Sequence, residues 1–116
     1  MNREISSCIP SNDKNCTLVS CLDSTLRLLD KQSGELLVEY QGHKNTEYKL
    51  IPAFTNSDSH VISGSEDGKI YIWDLVEAKV ESAIDAHFKP ITCIDYHPKL
   101  NQMVSCSFDG SIKIWS

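Results

Sequence analysis

Three stretches of this chain can be laid over one another, and that repetition restricts the fold more than any other feature. They are Leu18–Asp30 (LVSCLDSTLRLLD), Val61–Asp74 (VISGSEDGKIYIWD) and Met103–Ser116 (MVSCSFDGSIKIWS). The last two align without a gap, and the first is one residue short before its Asp. Leu29, Trp73 and Trp115 fall at corresponding places, 44 and 42 residues apart, and Gly42-His43 precedes Ala86-His87 by 44. A period of about 40–45 residues means an array of similar units, none of which can bury its apolar surface alone.

The content of each unit is β. Lys69–Trp73 and Ser111–Trp115 are rich in β-branched and aromatic residues, which suit a pleated, half-buried surface. Asp67-Gly68 and Asp109-Gly110 sit between apolar runs and supply the positive φ of a tight hairpin. Ser33-Gly34 marks another turn, leading into Leu36–Tyr40. Tyr48–Phe54 and Ile91–Tyr96 read as one further strand ahead of each hairpin, the latter ended by His97-Pro98 because proline cannot donate to a ladder. No stretch carries a sustained helical period. The expectation is all-β, with about four short antiparallel strands per unit, stacked radially as the blades of a propeller.

Composition sets the class of partner. The chain has 116 residues, with 11 Lys plus Arg against 16 Asp plus Glu and a net charge of −5. That balance argues against a sequence-blind nucleic-acid binder, which needs a clustered basic footprint. At 41% apolar and 23% charged it is a folding chain rather than a disordered one. No export signal opens it and no apolar run approaches a membrane span, so neither secretion nor membrane insertion is expected. The cysteines Cys8, Cys16, Cys21, Cys93 and Cys106 form no CxxC pair and read as reduced, small core residues.

With both markers present in two full copies, the chain resembles the WD-repeat family. The residues that carry the likeness are Gly42-His43, Ser63-Gly64-Ser65-Glu66-Asp67-Gly68 and Trp73-Asp74, then Ala86-His87, Ser105–Gly110 and Trp115-Ser116. The resemblance implies three blades, over residues 1–41 (degenerate), 42–85 and 86–116, the last without its outer strand. It further implies an open piece of a seven-bladed ring, reached through fragmentation, a short isoform or a truncated gene product. Such a piece is expected to self-associate through its open blade faces. The family's role implies a non-catalytic scaffold, without cofactor or metal, that gathers kinases of a MAP-kinase cascade. A spliceosome-associated assembly factor in mRNA processing is the alternative. The expected location is the cytoplasm, with the nucleus as a second site, and neither membrane nor nucleic acid is expected as a direct partner.

The resemblance also assigns two structural tetrads: His43, Ser63, Asp67 and Trp73, and His87, Ser105, Asp109 and Trp115. In each, Asp holds one imidazole nitrogen, the Ser hydroxyl meets the other, and the Trp indole N–H meets that hydroxyl. The first unit has Leu29 in place of Trp and no matching His, so it must rely on packing by Leu18, Leu26, Leu28 and Leu29, with weaker local order. An Asp–His–Ser protease reading fails because the set recurs in both repeats, as structure does and a single active site does not. A metal reading of His87, Cys93 and His97 fails on spacing. Partner binding is expected on the loops that share a face with the Asp-Gly turns, at Lys44, Asn45, Glu66, Phe88, Lys89 and Phe108.

Overall fold

Eleven strands and no helix make up the described part of the molecule, a computed structural model that describes residues 5–97, 99 and 102–115. The first sheet is a meander of β1 (Ile5–Pro10), β2 (Cys16–Cys21), β3 (Thr25–Asp30) and β4 (Leu36–Tyr40). The second contains β5 (Ala53–Phe54), β6 (His60–Gly64), β7 (Lys69–Asp74) and β8 (Val80–Asp85). The third contains β9 (Ile91–Tyr96), β10 (Met103–Ser107) and β11 (Ile112–Trp115). Every pairing within a sheet is antiparallel and between consecutive strands. The three sheets form an open array, as expected of propeller blades that do not close a ring. Pro98, proposed above as a strand terminator, lies outside the described residues.

The hairpins follow from local chemistry. Gly68 and Gly110 take φ of +84° and +85°, the left-handed region that costs glycine nothing. In the first unit Ser24 adopts φ +62° in the same hairpin.

The sheets stack because neighbouring side chains on a strand point to opposite faces. On β7, Trp73 and Tyr71 face the first sheet and join Leu18, Leu26, Leu28, Tyr40, Phe54 and Val61 in one core. Ile70 and Ile72 face the third and join Ala53, Ile62, Ile91, Ile94 and Met103 in another, with Trp115 packed against it. The second sheet is therefore covered on both faces, which is why β6 is an unbroken buried run from Val61 to Gly64.

Two expectations are corrected. Tyr48–Phe54 forms a strand only at Ala53–Phe54, with one parallel bridge from Ile51 to Cys93 of the third sheet. Pro52 has no N–H to give, and the N–H groups of Thr46, Glu47 and Tyr48 are bound to the Glu66 carboxylate at 2.9–3.0 Å. In the first unit, Leu18, Leu26 and Leu28 enter the core, but Leu29 does not. Strand alternation puts it on the opposite face, in a shallow pocket with Val19, Cys21 and Arg27.

Candidate functional site

In the third sheet, four groups from three different segments make a continuous polar chain. His87, in the loop before β9, has a fully buried side chain. Its Nδ1 lies 3.1 Å from Asp109 Oδ2 and its Nε2 lies 2.8 Å from Ser105 Oγ. The Trp115 indole donates to the same Ser105 hydroxyl at 3.0 Å. Ser111, which the sequence did not single out, adds its hydroxyl 2.8 Å from His87 Nδ1 and also bonds Asp109. The Ser111 hydroxyl and amide, the His87 ring and the Phe88 amide together hold the Asp109 carboxyl well below the usual range, against the opposing effect of burial.

The matching relay at His43, Ser63, Asp67 and Trp73 does not form. The Trp73 indole donates to the Gln41 carbonyl at 2.8 Å, Ser63 turns its hydroxyl onto the Gly64 carbonyl at 2.7 Å, and Asp67 accepts from the Tyr71 hydroxyl at 3.1 Å. The difference traces to two positions. Ser111, whose hydroxyl bonds both His87 and Asp109, stands where the second unit has Lys69. Where the second unit has Tyr71 the third has Lys113, whose ammonium reaches the Ala86 carbonyl instead and leaves Asp109 to the histidine. His43 stays buried, packed edge-on against Trp73 with ring centroids 5.2 Å apart. Among the described residues neither of its ring nitrogens has a hydrogen-bond partner. Burial without a partner drives its pKa down to about 4, only partly opposed by the nearby Asp67, Glu66 and Asp23 carboxylates.

The first sheet, without His or Trp, is fastened by a residue from the next loop. Asn45 is fully buried. With its amide oriented to satisfy both ends, it accepts from the Ser20 hydroxyl at 3.0 Å and donates to the Tyr48 carbonyl at 2.8 Å. Its backbone pairs with Ser24 in both directions, at 2.8 and 3.0 Å. A second clasp joins the same sheets at the opposite end, where Asp58 accepts from the Asn12 and Asp13 amides at 3.0 Å.

These bonds sort the six expected partner-binding residues. Asn45 is buried and structural, so it is removed from the set. Glu66 binds three backbone amides and the Thr46 hydroxyl. Burial raises its pKa, but those backbone bonds more than offset this and hold it below the ordinary range. It shapes the loop rather than presenting a free carboxylate. Lys44 and Lys89 are exposed. Phe88 is 100% exposed and Phe108 is 53% exposed. The Phe88 amide bonds Asp109 at 3.3 Å, and the Phe108 amide bonds the Pro90 carbonyl at 3.1 Å. Tyr48, missed in the sequence because it was read as strand, stacks edge-on against Phe108 with centroids 5.0 Å apart. With Phe88, whose amide is bonded to Asp109 next to Phe108 in sequence, they make an exposed aromatic patch.

The repeat family described as "WD domain, G-beta repeat" matches residues 34–74 and 78–116. Human "WD repeat domain-containing protein 83" is 50% identical over 105 residues, which is 90% of this chain and 33% of that protein. The Dictyostelium discoideum "WD repeat domain-containing protein 83 homolog" is 44% identical over 111 residues, 96% of this chain and 34% of that protein. The chain thus spans about a third of the length of these curated relatives. Among solved structures, the computationally designed Ika4 protein superposes with a TM-score of 0.79 at 28% identity, covering 97% of this chain and 65% of that one.

Proposed function

The chain belongs to the WD-repeat family, and from that premise we propose that it is a non-catalytic platform for protein–protein interaction. The observation that carries the reading is the aromatic patch of Tyr48, Phe88 and Phe108, flanked by Lys44 and Lys89. Large exposed rings are costly to leave in water, and aromatic anchors dominate interface energetics. The polar constellation beside them serves structure, since Ser105 and Asp109 are both consumed in holding His87 and Trp115. The finer assignment, following the sequence resemblance, is a scaffold for kinases of a MAP-kinase cascade, located in the cytoplasm and also in the nucleus. Self-association through the outer faces of the first and third sheets belongs to the same proposal, with Ile112 and Ile114 each 70% exposed on the third.

The test is affinity capture from cytoplasmic and nuclear extracts with the chain and with a Phe88→Ala/Phe108→Ala double variant. Kinases of the cascade recovered by the first and lost by the second are the expected result. Splicing factors without kinases would instead favour the mRNA-processing alternative, and recovery unchanged by the double variant would discard the patch.

A further inference from the structure

His60, Asp74 and Glu81 have nothing in their spacing to draw them together, and the repeat pattern implies no metal centre. The register of the second sheet nevertheless collects them. His60 opens β6, Asp74 closes β7 as its direct cross-strand partner, and Glu81 is the second residue of β8. One ligand atom from each lies within 4.8 Å of the other two.

We propose that His60, Asp74 and Glu81 form a binding site for a divalent transition-metal ion of the zinc class. Each side chain is already held in place. His60 Nδ1 lies 2.9 Å from Ser59 Oγ while Nε2 points at Glu81 Oε2, 3.0 Å away. That is the arrangement in which a ligating imidazole uses its other nitrogen to fix the ring. Asp74 is anchored by the Val76 and Glu77 amides at 3.0 and 2.9 Å. Among the described residues no lysine or arginine pairs with either carboxylate, so two negative charges converge without a fixed cation between them. One imidazole with two carboxylates selects zinc, manganese or cobalt over magnesium and calcium, which take oxygen donors alone. Three protein ligands leave one position for water. Glu81 is exposed, and a cavity of about 390 Å³ opens beside His60 and Glu81. A bound ion would tie the edge strand β8, whose residues are mostly exposed, to its neighbour β7 and, across β7, to β6.

Equilibrium dialysis of the full 116-residue chain against zinc chloride at pH 7.5 tests this. The expected result is one zinc ion per chain, bound roughly tenfold or more weakly in Glu81→Gln and in His60→Asn, with no comparable uptake of magnesium. Glu81 is exposed, so Glu81→Gln keeps the fold, as far-ultraviolet circular dichroism will verify. It decides alone if His60→Asn does not fold. Uptake equal in both variants would assign the metal to the cysteine thiols and overturn the site. Absence of uptake would reduce the cluster to a plain His60–Glu81 side-chain contact and overturn it as well.

Discussion

His43 and His87 occupy the same place in successive repeats, yet their surroundings give them opposite energetic signs. His87 is held by three side chains, so His87→Leu leaves Ser105 and Asp109 short of partners and should cost about 3 kcal/mol in chemical denaturation. His43 is buried with both nitrogens unpartnered, and His43→Leu should be neutral or stabilise by about 1 kcal/mol, since an apolar replacement removes an unmet polar demand. The pH profile separates them further. Folding holds the His43 pKa at about 4, against 6.5 for the unperturbed group, so the unfolded chain binds the proton first. Stability is therefore full above about pH 6.5 and declines as pH falls towards 4, by about 3 kcal/mol in total. Asp109 acts lower: its folded pKa is depressed, so its contribution is present above its unperturbed value of 3.8 and lost only as pH falls below it. Denaturation curves at pH 7.5, 6, 4.5 and 3 check this, and His43→Leu should flatten the upper window while leaving the lower one. Neither difference was visible in the repeat pattern. Both histidines satisfy it, and the outcome turned on a competition for Asp67 and Trp73 by Tyr71 and Gln41, groups the pattern does not specify.

Among the strands and turns, local chemistry was readable wherever it was self-contained. The Asp-Gly hairpins, β4 and β9 formed where the apolar and turn residues placed them. The strand before β6 formed only at Ala53–Phe54, because the Tyr48 amide is claimed by Glu66, the Ile51 amide by the Thr92 carbonyl, and Pro52 has none to give. The two hairpin glycines show the same division. Both have positive φ, so alanine at either should cost about 1 kcal/mol in backbone strain. At Gly110 a Cβ would meet open space, whereas at Gly68 it would stand 2.2 Å from the His87 carbonyl oxygen, and the Gly68 carbonyl itself accepts the Ala86 and His87 amides. Gly68→Ala should therefore cost about 3 kcal/mol or more, because backbone cannot yield as a side chain does. Thermal melts of the two single variants measure the gap, and equal shifts would refute this account of the hairpin's contact with the following loop.

Across the whole molecule, protection should follow the number of covered faces. The second sheet is packed on both sides and the first on one, so amide exchange should be slower over residues 61–74 than over 18–30. Faster exchange in the second sheet would contradict both the stacking and the expectation of a weaker first unit. What the chain determined by itself was the period, the strand content, the alternation of faces and the turn chemistry, since each depends only on residues a few positions apart. What only the tertiary structure decided was the partner of each polar group. Asn45 closes on Ser20 rather than facing solvent, the Trp73 indole goes to Gln41, Tyr48 meets Phe108, and His60 meets Glu81. Hydrogen-bond donors brought to one point by different segments compete by distance and geometry, and that competition exists only once the sheets have stacked.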